Sequence, residues 1–104
     1  MSDKQYYHAT PMENYESIFE SGTLEPSFDG YVHLTTNPDR ALMFMRVRGI
    51  DSVSLFLADP YFLDESKIEP FEDGSLSGDE CYIHDGELRG VILVDHYWFN
   101  FNPN

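Results

Sequence analysis

GYVHLT, residues 30–35, is the stretch on which the fold turns. After Gly30 the run alternates as a strand does. Tyr31, His33 and Thr35 fall on one face, Val32 and Leu34 on the other. Asn37-Pro38 then starts a helix, with Asn37 as its cap. Ala41, Leu42 and Met45 form the buried stripe of that helix, with Phe44 beside it, and Gly49 ends it. Toward the N-terminus, Gln5 to Ala9 (QYYHA) reads as a short aromatic strand. Thr10 fits an N-cap, Pro11 a first helical position and Glu13 the return arm of a capping box. The helix so started carries Tyr15, Ile18 and Phe19 on one face and stops at Gly22.

Toward the C-terminus, Asp51 to Ala58 (DSVSLFLA) is a third strand with Val53, Leu55 and Leu57 alternating. Asp59-Pro60 breaks it, and Lys67 to Phe71 suits a short edge strand. Glu72 to Asp79 (EDGSLSGD) is polar, has two glycines and reads as a loop. Glu80 to His84 (ECYIH) and Val91 to Asp95 (VILVD) are further strands, with a tight-turn signal at Asp85-Gly86. Tyr97, Phe99 and Phe101 alternate in a last strand or a packed tail. A βαβαβ order followed by strands predicts a single α+β domain over residues 1–104 with two main helices. The short connections predict mostly antiparallel pairing.

The charge is lopsided: 19 Asp and Glu against 6 Lys and Arg, a formal net charge of −13. Such a surface repels a polyanion and has no basic array to displace phosphate counterions, so direct nucleic-acid binding is disfavoured. It suits a basic protein partner, or mimicry of nucleic acid, or solubility alone. Aromatic residues reach 15% of the chain, enough to expect a packed globule rather than disorder. The one cysteine, Cys81, leaves no internal disulfide and suits a reducing compartment. No apolar run approaches the roughly 18 residues of a membrane span, and MSDKQYYH has no signal-peptide core. A cytoplasmic protein without membrane contact is expected.

Several side chains could carry chemistry. His8 ends a strand just before a helix start, where anionic ligand groups bind well, or where a histidine satisfies local backbone groups. Thr10 is a cap, a ligand contact, or both. His33 shares its face with Tyr31 and Thr35, and that face lines a cleft or meets water. Glu80, after Asp79 and before apolar Cys81, could stabilise developing positive charge or act as a base, or be one surface acid among many. Cys81 and His84 have a permissible zinc spacing, but the second half of a ligand set is missing, so no metal is expected. Cys81 reads as a small core residue. There is no glycine-rich phosphate loop.

Three stretches form a series: YHATPMENYESIFESGTLEPS, GYVHLTTNPDRALMF and ECYIHDGEL. The first resembles the opening strand and helix of the DarT-type DNA ADP-ribosyltransferases and of the RNA 2′-phosphotransferases. The second resembles the Val-His-Leu strand of the latter. It also resembles the Gly-Phe-Ile-His-Leu-Ser-Thr strand of a family of short bacterial proteins, into whose pattern VSLFLADPYFLDESKIEP also fits. The resemblance, which covers most of residues 6 to 95, implies an ADP-ribosyltransferase-like fold with a split, mostly antiparallel sheet, and NAD as the substrate cofactor. It implies that His8 contacts a ribose hydroxyl, with Thr10 beside it. It also implies that Tyr31, His33 and Thr35 face the nucleotide, with Arg40 in the cofactor-binding set. Glu80 would steady the oxocarbenium ion as nicotinamide leaves. The chain departs from the phosphotransferases in having Asp29-Gly30, not an arginine, before Val32-His33. Only Arg40, Arg46 and Arg48 lie near the second helix. With the acidic charge, this directs the expectation to an NAD-dependent ADP-ribosyltransferase-like protein acting on a protein or small molecule. Two alternatives stand beside it: a non-catalytic acidic module that blocks a basic or nucleic-acid-binding protein, and a sensor of ADP-ribose-like nucleotides.

Overall fold

The computed structural model describes residues 4–71 and 80–100. The loop expected at 72–79, Asp79 and Phe101 lie outside the described residues. The strands are β1 (Tyr7–Pro11), β2 (Thr23–Leu24), β3 (Tyr31–Thr35), β4 (Ser52–Ala58), β5 (Ile68–Pro70), β6 (Cys81–Asp85), β7 (Leu88–Arg89) and β8 (Val91–Trp98). The α-helices are α1 (Tyr15–Ser21) and α2 (Pro38–Val47). Six of the described strands form one sheet in the order β5-β6-β3-β1-β4-β8, and β2 pairs with β7 apart from it. Every pairing is antiparallel. The fold is therefore α+β, with two helices and an antiparallel sheet. Among the described residues no helix is long and apolar enough to cross a membrane.

The sheet buries both faces. On one, Ala41 and Met45 of α2 lie on Ala9, Val53 and Leu55. On the other, Tyr6, Val32, Leu34, Ala58 and Tyr82 pack with Leu24 and Leu88, and Ile18 of α1 leans on them. This two-sided burial changes the reading of β4. Val53 and Leu55 are buried as the alternation implies, but so are Ser54, Phe56 and Ala58 on the opposite face. β4 lies between β1 and β8, and Tyr15 of α1 stacks over Phe56 with ring centroids 6.3 Å apart. Ser54 is wholly buried, and its hydroxyl is satisfied by Nδ1 of His96 at 2.8 Å.

Local signals hold where no other strand competes. Asn37 accepts a hydrogen bond from the Asp39 N–H at 3.0 Å, and Pro38 opens α2. Gly22 closes α1 with φ 66° and donates to the Ile18 carbonyl at 2.7 Å. The expected cap at Thr10 does not form. β1 instead continues through Thr10↔Ser54 and Pro11↔Val53 against β4, so Pro11 stays extended (φ −54°, ψ 140°). A short 3-10 turn, Met12–Asn14, begins the helical stretch, and neither it nor α1 has a side-chain cap. A threonine cap is worth about 1 kcal/mol, and continued pairing with a buried strand outweighs it. Phe19, placed on the packed face of α1, is exposed instead. The Asp85-Gly86 turn does not join β6 to β8 as a hairpin. β7 intervenes and pairs with β2, and β8 runs to the far side of the sheet beside β4.

At the crossing into β8, Gly90 has φ 81°, and a Cβ there would lie 2.8 Å from the Cβ of Phe62. Gly86 has a similar φ of 78° but open space around it. Gly86→Ala is expected to lose about 1–2 kcal/mol, the cost of the left-handed backbone. Gly90→Ala should lose more, because the Phe62 Cβ cannot move without its backbone. Urea unfolding of the two variants checks this: equal losses would mean that the Phe62 contact yields freely.

Candidate functional site

The sheet comes apart between β1 and β3. β1 matches β4 over five residue pairs and β3 matches β6 over five, yet β1 and β3 share a single pair, Tyr7↔Thr35. Beyond it the strands diverge and flank a cleft of about 660 Å³. Consecutive residues of both strands line it, Tyr7 to Pro11 and His33 to Thr35. One wall comes from Ala41, Phe44, Met45 and Arg48 at α2. The rim comes from Ser27, Phe28 and Asp29 of the preceding turn, and from Phe71.

His8 fills the gap where the ladder stops. Its Nδ1 lies 2.8 Å from the backbone carbonyl of His33. A carbonyl only accepts, so Nδ1 carries the proton and donates it. The other ring nitrogen, Nε2, makes no hydrogen bond among the described residues. Burial pushes the imidazole below its ordinary value, against a smaller opposing effect of the His33 carbonyl, so the ring is held neutral. His8 thus presents a bare acceptor nitrogen in a walled cleft, a group suited to a ligand hydroxyl.

His33 is held from the other side. Its Nε2 lies 2.9 Å from Oδ2 of Asp29, and the Tyr31 N–H donates to Oδ1 of the same carboxylate at 3.0 Å. The Tyr31 N–H first, and then the His33 ring, hold the Asp29 carboxyl below the usual carboxylate range. Phe71 meets the imidazole edge-on, with ring centroids 5.2 Å apart.

Of the residues expected at the site, His8, Thr10, His33 and Thr35 line the cleft. Thr10 and Thr35 are only 6% and 3% exposed, and both have structural partners. Thr10 Oγ1 accepts from Asn14 Nδ2 at 3.0 Å, and Thr35 Oγ1 accepts from the Asn37 N–H at 3.1 Å. Tyr31, Arg40 and Glu80 lie outside the lining. Glu80 Oε2 accepts from Arg40 Nε at 3.2 Å and from Asn37 Nδ2 at 3.3 Å, which ties the start of α2 to β6. The register sets its distance from His8. Tyr7, Thr35 and Cys81 align across β1, β3 and β6. His8 lies one residue beyond that line and Glu80 one residue before it, so at about 4.8 Å per strand step their backbones are roughly 12 Å apart.

Arg48 and Asp29 are the residues that sequence reasoning did not single out as ligand contacts. Arg48 is the one Lys or Arg, and Asp29 the one Asp or Glu, among the described residues of the lining. For Arg48 a signal existed. It follows Ala41, Phe44 and Met45 at helical spacing, on the stripe that faces the sheet. Asp29 precedes its strand in a turn, where no periodicity marks it.

Among the described residues no group of three His, Cys, Asp or Glu gathers to hold a metal. Cys81 lines the cleft, whereas His84 lines a separate cavity of about 380 Å³ with Phe62 and Lys67. No family model, no curated protein and no solved structure matches this chain.

The state of His8 sets a pH dependence. Its value in the folded protein lies below the ordinary 6.5, so as pH falls through that range the unfolded chain takes up a proton that the folded chain refuses. His8 therefore subtracts stability below about pH 6.5, until the folded ring itself protonates. In urea unfolding, the wild type is expected to lose more stability between pH 7 and pH 5 than His8→Gln does. Parallel pH profiles would show that the ring is not desolvated.

Proposed function

We propose that this chain is an ADP-ribosyltransferase-like domain that takes NAD into the cleft between β1 and β3 and transfers ADP-ribose to a protein or small molecule. The observation that carries this reading is His8, whose Nδ1 is spent on the His33 carbonyl and whose Nε2 makes no hydrogen bond among the described residues of a walled cleft. A ribose hydroxyl is a natural donor to it. The cleft volume, about 660 Å³, falls in the range of small-ligand sites. Phe44, Phe71 and Tyr7 offer flat apolar surface to a base, and Arg48 offers charge-assisted hydrogen bonds to a pyrophosphate. Glu80, held by Arg40 and Asn37 outside the lining, carries no step in this reading.

Calorimetry with NAD and with ADP-ribose tests the reading. Both ligands are expected to bind. His8→Ala should weaken them about tenfold, the worth of one hydrogen bond, and Arg48→Ala by about 10- to 100-fold, as for a bond to a charged group. Arg40→Ala should leave the affinity within about twofold. No binding of either ligand at millimolar concentration would overturn the proposal. Binding of both with no NAD consumed would leave the sensor reading.

A second reading, an acidic module that blocks a basic protein, draws on β8. This strand forms one edge of the described sheet and exposes Ile92, Val94 and Trp98, the last at 69%. With a net charge of −13, such an edge suits a basic extended segment. Salt-sensitive partner binding that survives His8→Ala would favour it.

A further inference from the structure

Resting on the NAD reading above, we infer that His33, oriented by Asp29, is the general base that takes the proton from a hydroxyl acceptor, and that Glu80 has no part in this step. Both residues line the cleft, and Asp29 is the one acid that does so among the described residues. The Asp29 carboxylate can only accept, so the 2.9 Å contact places the His33 proton on Nε2. Nδ1 then carries the lone pair, and it makes no hydrogen bond among the described residues. The Tyr31 N–H fixes the carboxylate and the T-shaped contact with Phe71 fixes the ring, so the base is oriented before any ligand arrives.

The other two candidates are less suited. Among the described residues His8 also has an acceptor nitrogen without a hydrogen bond, but taking up a proton there would charge a ring bonded to a backbone carbonyl, with no carboxylate paired to it. The His33 side chain is 41% exposed, and the imidazolium formed there is already paired with Asp29. Glu80 is committed to Arg40 and Asn37 outside the lining. The division of labour follows from the partners: the histidine bonded to a carbonyl holds the sugar, and the one bonded to a carboxylate moves the proton.

The step balances without an oxidant or reductant. The bond from the anomeric carbon to nicotinamide breaks, and its electron pair goes to the ring nitrogen, quenching the pyridinium charge. A lone pair of the acceptor oxygen forms the new bond to that carbon. The hydroxyl proton passes to Nδ1 of His33. The acceptor class is thereby a neutral hydroxyl, of water, a side chain or a sugar, because a carboxylate acceptor would need no base. His33 is the catalytic residue here and Asp29 a positioning residue.

Nicotinamide release from NAD with water as acceptor tests this on the full chain, alongside calorimetric NAD affinity. His33→Ala is expected to lower kcat about 100-fold or more, the usual worth of general-base catalysis. KM should stay within about threefold, since binding rests on other groups. Asp29→Asn should lower kcat about tenfold, and the double variant should be no slower than His33→Ala alone, as for residues that act as one unit. Glu80→Gln should keep kcat within about threefold. His33→Gln, which retains a polar side chain on the rim, guards against a folding defect and should be as slow as His33→Ala. Unchanged kcat in the His33 variants, a change in KM alone, or additive losses in the double variant would overturn the inference. NAD binding without nicotinamide release by the wild type would overturn it and leave the NAD site standing. No NAD binding would remove both.

Discussion

The single residue pair between β1 and β3 is the constraint on which the site depends. Each strand has a better partner on its far side: β1 keeps five pairs with β4, and β3 keeps five with β6. Once Tyr7↔Thr35 is passed, no further residue pair joins β1 to β3, and the edges that part carry backbone groups with no ladder to join. A buried carbonyl left unpaired costs about 1–3 kcal/mol. At His33 that cost is avoided by a side chain: Nδ1 of His8 supplies the donor that the neighbouring strand does not. One hydrogen bond thus seals the split and fixes the tautomer of the residue at its apex. The cleft and the acceptor nitrogen in it are consequences of the same failure of pairing.

How much of this could be read from the chain depends on the range of the interaction. Asn37-Pro38 and Gly22 were legible because a cap or a left-handed residue is a local matter, decided within one turn. Tyr31 to Thr35 was legible as a strand from its alternation. Thr10 was misjudged because a local cap signal lost to a partner some forty residues away, β4. Val91 to Asp95 reads as a strand, but not as one that runs on unbroken to Trp98 or lies beside β4, because Asp85-Gly86 looks like a hairpin turn and β7 is too short to announce itself.

The site shows the same division. His8 and His33 stood out as imidazoles at the ends and on the faces of strands, and both line the cleft. What each ring bonds to was invisible, since the contacts span 25 residues in one case and leave the regular strand in the other. Among 19 acids no pattern separates Asp29 from Glu80. Only the register across three strands puts one on the cleft rim and the other at the start of α2.

The net charge of −13 bears differently on different ligands. A duplex or a long single strand presents phosphates across the whole surface, and each must approach a field that the chain lacks the cations to reverse. A dinucleotide presents two phosphates in one place. At physiological salt, charges beyond about 8 Å are largely screened, so what such a ligand meets is the local set, not the total. In the described lining that set is one arginine and one carboxylate, and the carboxylate is already engaged by His33 and the Tyr31 N–H. Arg48 is therefore the dominant charge of the described lining. The acidity that disfavours a nucleic acid is compatible with a small anionic nucleotide, because the described lining holds one arginine and a single carboxylate that is already engaged.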